Sequence, residues 1–317
     1  CWRKAVPIQR VGLYIPGGSA PLFSTLLMLA IPAQIAGCTD ICVFTPAGEN
    51  GKVNDAILYC ASLLGLEKIY SVGGVQAIGA MAYGTSSIGA VNKIFGPGNQ
   101  YVTCAKQLVS RWGVAIDMPA GPSEVAIYAD ESSVPAFIAA DLLSQAEHGK
   151  DSQVLLVCSS QEIITNVQAE IAKQLKLLPR ADTALAALRH SNIIVLQDPA
   201  TAFDLLNTYA PEHLIIASAR AAELSEGVIN AGSVFLGNYS PEAAGDYASG
   251  TNHTLPTNGY AAAYSGVSVD SFVKKITFQE LSKEGLLAIS GAVETMAAAE
   301  GLTAHKNAIS IRLKEQQ

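Results

Sequence analysis

Val11-Gly12-Leu13-Tyr14-Ile15-Pro16-Gly17-Gly18-Ser19 is the stretch that decides the fold. Residues 11–15 read as a short buried strand that runs straight into a proline and two glycines, a turn and not a continuing element. The apolar run 21–36 behind it reads as a buried helix, with Gly37 as its left-handed C-cap. The same unit then repeats. Residues 40–45 read as a strand, 54–66 as a helix, 68–72 as a strand ending at Gly73-Gly74, and 75–83 as a helix. Residues 93–95 follow as a strand ending at Gly96-Pro97-Gly98-Asn99, then 101–110 as a helix and 114–117 as a closing strand. Strands and helices alternating at this spacing predict a parallel sheet with right-handed crossovers. Ligands of such sheets bind outside the carboxyl ends of the strands, and three of those ends carry glycine-rich turns. The glycines suit plain tight turns equally well, and the dinucleotide fingerprint GxGxxG does not occur.

A second series starts after Ala120-Gly121-Pro122-Ser123. Its strands are expected at 124–129, 153–158, 192–196, 213–217 and 233–236, and its helices at 134–147, 163–177, from Pro199, and at 220–230. The chain thus divides into two similar α/β units, 11–121 and 122–266, and a small helical C-terminal unit, 267–317, with helices expected at 269–277, 282–300 and 304–314. Residues 237–259 break the alternation as a loop rich in Gly, Asn, Ser, Thr and Pro that holds Asp246, Tyr247, Asn252 and His253. A loop of that length inside a compact domain is functional or disordered, and its aromatic and charged content favours function.

Composition narrows the partners. With 317 residues and 50% hydrophobic content the chain can bury more than one core. Twenty basic residues against 27 acidic ones give a net charge of −7, with no basic stretch to follow a phosphate backbone, so a small molecule is a better partner than nucleic acid. The run 21–36 is interrupted by Pro32 and too short for a comfortable membrane span. Six cysteines without a CxxC pair or a signal peptide fit a reduced, cytoplasmic setting, their even number being a weak hint of disulfides.

Chemically capable side chains gather in a few places. Ser144-Gln145-Ala146-Glu147-His148-Gly149 closes an expected helix, and Gln145 and His148, at i and i+3, share a face from which an amide oxygen and an imidazole can converge on one ligand. The same His-Gly pair reads as an ordinary helix end, with Gly149 as a left-handed cap. Glu212-His213 opens a strand. Neighbours on a strand point to opposite faces, but at its start both can reach one pocket, offering two groups that take protons in different steps. A satisfied pair at a sheet rim is the plainer alternative. Gln145, His148, Asp246 and His305 together supply two imidazoles, a carboxylate and an amide oxygen, a set suited to zinc, although Gln is an uncommon ligand and the spacing is not that of a compact zinc motif.

Gly12-Leu13-Tyr14-Ile15-Pro16-Gly17-Gly18, Phe95-Gly96-Pro97-Gly98-Asn99, Met118-Pro119-Ala120-Gly121-Pro122-Ser123-Glu124, Ser144 to Gly149, Pro211-Glu212-His213-Leu214, Ala244 to Pro256 and Leu302 to Asn307 resemble histidinol dehydrogenases. The resemblance runs in the family's order from about Val11 to Lys314. It implies two incomplete Rossmann-like parallel-sheet domains with helical parts, and a zinc-containing, NAD-dependent enzyme that oxidises L-histidinol through L-histidinal to L-histidine. Gln145, His148, Asp246 and His305 would bind zinc, with His305 supplied by the other subunit of a homodimer. Ser123, His213 and Glu300 would contact substrate along with the zinc ligands, Glu212 and His213 would be catalytic, and Tyr14, Gln76 and Asn99 would contact NAD. The family also has a largely helical segment ahead of the Gly-Leu-Tyr-Ile-Pro-Gly-Gly strand that helps its subunits intertwine; a chain that starts where this one does is expected to lack it, at a cost to dimerisation and activity. Two readings from other classes compete: a non-catalytic two-domain protein that binds an imidazole-containing small molecule, and a zinc hydrolase in which Glu212 activates water.

Overall fold

The computed structural model describes residues 1–17 and 22–314, so Gly18 and Ser19 of the first turn lie outside the described residues. In chain order the elements are β1 (Trp2–Pro7), β2 (Arg10–Tyr14), α1 (Phe23–Ala36), β3 (Asp40–Phe44), α2 (Asp55–Leu63), β4 (Lys68–Tyr70), α3 (Gly74–Tyr83), β5 (Lys93–Phe95), α4 (Gln100–Ser110) and β6 (Ala115–Ile116). They continue with β7 (Glu124–Ala129), α5 (Pro135–Ala146), β8 (Gln153–Cys158), α6 (Gln161–Gln174), α7 (Ala181–Leu188), β9 (Asn192–Val195), α8 (Pro199–Tyr209), β10 (His213–Ala217), α9 (Ala221–Leu224) and β11 (Ser233–Leu236). Last come α10 (Glu242–Tyr247), β12 (Val273–Phe278), α11 (Lys283–Ala299) and α12 (Thr303–Lys314).

Two compact units result, Pro7–Val273 and, separately, Cys1–Val6 with the chain from Lys274 onward. The larger holds two five-stranded sheets, ordered β4-β3-β2-β5-β6 and β11-β10-β7-β8-β9. Every pairing in both is parallel, as the alternation of strands and helices requires. Numbered from its own first strand, each sheet has the order 3-2-1-4-5, which is the doubly wound Rossmann order without its sixth strand. Each therefore reverses direction between its first and fourth strands, at β2/β5 and at β7/β10. Both faces are covered. Val11, Leu13 and Ile15 pack with Leu26, Leu29 and Ile57 of α1 and α2, while Tyr14, Cys42 and Phe44 face Ala77, Met81 and Val102 of α3 and α4. In the second sheet α5, α6 and α7 cover one face, with Ala202, Phe203 and Leu206 of α8 on the other. This near-continuous burial is why its first and fourth strands carry few polar residues between their ends.

Sequence and structure part company in a few places. Residues 269–277, expected to be helical, form a single 3₁₀ turn, Val269–Phe272, and then β12, because β1 at the other end of the chain supplies a hydrogen-bonding partner and Trp2 stacks on Phe278 at 5.5 Å. The helix expected at 220–230 stops at Leu224 with a 3₁₀ turn to Gly227; the Asn207 side chain draws the N–H groups of Ile229 and Asn230 out of helical register, at 2.7 and 3.1 Å. The loop 237–259 contains α10, and the Ala-rich α7 is an addition. Gly37 does take the left-handed cap (φ 88°), but α1 is only half-buried, with Ile31 and Ile35 exposed. Gly149 is not among the residues with positive φ, and α5 ends at Ala146 with Glu147 as an αR cap. All six cysteines are free, and no helix among the described residues is long and apolar enough to cross a membrane.

Candidate active site

The Glu124 peptide, where β7 begins, is the hub of a buried polar cluster. Its N–H donates to Glu212 Oε2 at 2.9 Å, and its carbonyl accepts from His213 Nδ1 at 3.1 Å. Glu212 precedes β10 and His213 opens it, beside β7 in the parallel register, so both reach the main chain of the same residue despite leaving the chain in opposite directions. Ser123 sits immediately before the hub. The Glu124 carboxylate accepts from the Asn258 N–H at 3.0 Å through Oε1, while its buried Oε2 has no protein partner among the described residues.

Gln145, fully buried near the end of α5, satisfies its neighbours when its amide nitrogen donates to both oxygens of Glu242, at 2.6 and 3.1 Å, and its oxygen accepts from the Glu124 N–H at 3.3 Å. Glu242 and Asp246 lie four residues apart on α10, hence on one face of it. Ligand atoms of His148, Glu242 and Asp246 gather within 4.8 Å of one another. Gln145 adjoins this group through Glu242. His253, just past α10, bridges from the Asp246 carbonyl (3.3 Å) to the Thr25 hydroxyl of α1 (3.1 Å).

Burial sets the electrostatics. It pushes the Glu212 and Glu242 carboxyls well above the usual carboxylate range, Glu124 up to about 6, and Asp246 upward. It holds His213 down to about 4, and lowers His148 and His253. His213 is therefore a neutral imidazole at neutral pH, and its approaches to Glu212 (3.7 Å) and Glu242 (3.8 Å) are not ion pairs. No lysine or arginine is ion-paired to the four carboxylates among the described residues. Four acidic groups, none of them paired to a lysine or arginine among the described residues, and two imidazoles form a mixed nitrogen and oxygen donor set that a divalent cation would offset.

Tyr14, Gln76 and Asn99, the residues that the resemblance assigns to NAD, lie at the carboxyl ends of the first sheet. Tyr14 ends β2, and its hydroxyl accepts from the Gly74 N–H at 3.0 Å, tying the first strand end to the third. Gln76 lies in the first turn of α3, and Asn99 N-caps α4, accepting from the N–H groups of Tyr101 and Val102 at 3.1 Å each. Gln76 and Asn99 are exposed. A cleft of about 630 Å³ that follows the end of β3 is lined by Gly17, Thr45, Asn50, Lys52 and Asn54, among others.

Glu300, at the end of α11, and His305, in the first turn of α12, belong to the smaller unit and are exposed. Sequence reasoning passed over Glu124 and Glu242. Glu124 did stand beside Ser123 at the head of an otherwise apolar strand, where a buried charge demands a reason. Glu242 had the i, i+4 spacing to Asp246, a signal hidden by reading that segment as loop.

The histidinol dehydrogenase family model matches residues 1–313. Histidinol dehydrogenase of Bacteroides fragilis (strain YCH46) is 64% identical over 315 residues, 99% of this chain and 74% of that protein. Histidinol dehydrogenase of Bacteroides thetaiotaomicron is 61% identical over 313 residues, 99% of this chain and 73% of that one. The crystal structure of histidinol dehydrogenase from Elizabethkingia anophelis matches with a TM-score of 0.97 at 58% identity, covering 99% of this chain and 72% of that chain. With the shared fold and a site of this composition, those matches establish that the chain belongs to the histidinol dehydrogenase family, oxidoreductases of histidine biosynthesis.

Proposed function

We propose that the protein is a zinc-containing, NAD-dependent enzyme that oxidises L-histidinol to L-histidinal and then to L-histidine, reducing two NAD in turn. The observation that carries this reading is the state of His213. A carbonyl oxygen can only accept, so the contact with Glu124 puts the imidazole proton on Nδ1 and leaves the Nε2 lone pair free; Nε2 is buried with no protein partner among the described residues. That nitrogen takes the hydroxyl proton of the alcohol as the carbinol carbon gives up its hydride. Glu212, held by the Glu124 N–H, takes a proton from the water that adds to the aldehyde; its burial pushes the carboxyl above the usual carboxylate range, which makes its carboxylate a stronger base than a solvated one. His213 returns the proton it took in the first step to the aldehyde oxygen as the water adds, giving the hydrate, and its freed Nε2 then accepts the hydroxyl proton of the hydrate as the second hydride leaves. Bound NAD supplies the hydride acceptor, and bound zinc orients the substrate's imidazole and amine and offsets charge.

Gln145, His148 and Asp246 would hold the zinc, with His305 contributed by the second subunit of a homodimer, and the same four with Ser123, His213 and Glu300 would contact substrate. Tyr14, Gln76 and Asn99 would contact NAD. The division of labour follows: 11–121 for the cofactor, 122–266 for zinc and catalysis, and 267–317 as the segment that reaches the other subunit. The dimer is supported by the smaller unit. α11 buries only Ala297 and α12 none of its described residues, leaving Leu287, Met296, Leu302 and Ile311 as exposed apolar surface that a second copy would cover. Six free thiols suit a cytoplasmic enzyme. The test counts NADH formed per histidinol consumed, alongside zinc analysis of the purified protein. Two NADH support the reading; histidinol binding without NADH would make the protein a binder, and zinc-dependent hydrolysis without NADH would make it a hydrolase.

A further inference from the structure

The loop that carries Asn99 is held by a buried ion pair that the reaction itself does not use. Lys106, on the second turn of α4, and Asp117, just past β6, meet at 2.5 Å with side chains 4% and 1% exposed. Together they occupy both main-chain polar groups of Gly96: Lys106 Nζ donates to its carbonyl at 2.7 Å, and Asp117 Oδ2 accepts from its N–H at 2.7 Å. Asp117 Oδ1 also accepts from the Met118 N–H at 2.7 Å. Gly96 has φ +122°, and a Cβ there would collide with the carbonyl of Tyr14, so the loop lies directly against the end of β2. The Thr103 hydroxyl reaches the Gly98 carbonyl at 3.4 Å, and Asn99 spends its side chain on the α4 N-cap. Burying such a pair is expensive, and a hydrophobic pair of similar volume would often serve stability as well. What that replacement would not supply is a charged donor and a charged acceptor gripping the carbonyl and the N–H of one residue.

We propose that Lys106 and Asp117 are positioning residues that fix the 96–99 turn, and with it Tyr14 and Asn99, in the shape that receives the nicotinamide nucleotide. The inference rests on the NAD reading above and adds to it the pair that pre-organises the site. Preorganisation lowers the ordering cost of binding, so its loss appears in affinity for one ligand and not in the chemistry of another site.

The experiment compares the zinc-loaded wild type with Lys106→Met, Asp117→Asn and the double variant Lys106→Met/Asp117→Asn, which leaves no unpaired buried charge. NAD affinity is measured by titration, with the KM for NAD, the KM for histidinol, zinc content and thermal midpoint alongside. The expected result is a rise of about tenfold or more in the Kd and KM for NAD in all three, with zinc content and the histidinol KM close to wild type. In the double variant the thermal midpoint recovers while the NAD affinity does not. NAD binding at wild-type strength in the folded double variant would overturn the inference, and so would loss of zinc and of the fold in all three variants, which would make the pair a general structural strut. A wild-type protein with no affinity for NAD would instead sink the nucleotide reading on which the inference rests.

Discussion

The two five-stranded sheets share a strand order, and the residues proposed for function lie at opposite ends of them. In the first, the carboxyl edge at β2/β5 carries Tyr14, the Gly96 turn and Asn99, while the amino edge is closed by Arg10 bonded to Asp40 at 3.3 Å and by the Asn92 side chain accepting from the Arg10 N–H. In the second, the buried acids and imidazoles collect at the amino edge of β7/β10, and the carboxyl edge is closed. There Asp130 accepts from the hydroxyls of Ser218 and Ser132 at 2.6 and 2.5 Å, and Ser132 in turn accepts from the Ala219 N–H at 2.7 Å. The crevice at a switch point is a general consequence of winding, but winding alone does not decide which edge is put to use. Local closure does. At the proposed reaction edge His213 Nε2 and Glu124 Oε2 remain without protein partners among the described residues, whereas the Asp130 carboxylate at the opposite edge of the same sheet is engaged by two hydroxyls.

The largest effect should come from the amino edge of the second sheet. His213→Ala removes the neutral base tied to the Glu124 carbonyl, and both oxidations should slow by roughly 10²–10⁴-fold, with zinc content retained. Rates near wild type would move the catalytic centre away from this edge. Glu212→Gln keeps an acceptor for the Glu124 N–H but cannot take a proton from water, so histidinal oxidation should fall by at least about tenfold more than histidinol oxidation. Equal losses in the two half-reactions, measured separately with histidinol and with histidinal, would show that the adjacent residues do not divide the steps.

A second test asks whether that edge is complete within one chain. His305→Ala and Asp246→Ala subunits should each be inactive alone. If His305 crosses to the other subunit, random mixing gives hybrid dimers with one intact site each, and about a quarter of wild-type activity should return. Confirmed hybrids without activity would place His305 with its own chain's site.

Much of this architecture could be read from the sequence, because short apolar strands, glycine turns and 3.6-residue periodicity are local signals. Strand 93–95 and strand 124–129 coincide with β5 and β7 to the residue. What resisted was non-local. β12 is a strand only because β1 lies beside it, and α9 is short only because the Asn207 side chain, on α8, competes for its N–H groups. The candidate site shows the same limit. Glu212-His213 and Gln145/His148 stood out as motifs, but that their partners include Glu124 and Glu242 depends on the pairing of β7 with β10 and on α10, neither of which spacing reveals. The buried acids and imidazoles of the second sheet gather at its amino edge, where the expectation that ligands sit at carboxyl ends does not point.

The smallest effect is the one that most directly probes why the edges differ. If the carboxyl edge of the second sheet is only a closure, Asp130→Asn and Ser218→Ala should behave as losses of buried hydrogen bonds, costing about 1–3 kcal/mol of unfolding free energy. Their KM values for NAD and histidinol and their zinc content should stay within about twofold of wild type, well inside the tenfold that corresponds to about 1.4 kcal/mol. Denaturant unfolding with parallel kinetics separates the two kinds of loss. A tenfold drop in nucleotide affinity from Asp130→Asn, at unchanged stability, would mean that this edge also serves a ligand. The inversion between the sheets would then be a difference of degree: both carboxyl edges would bind, and the second sheet would additionally have turned its amino edge into a reaction centre by sinking Glu124, Glu212 and His213 where β7 and β10 begin.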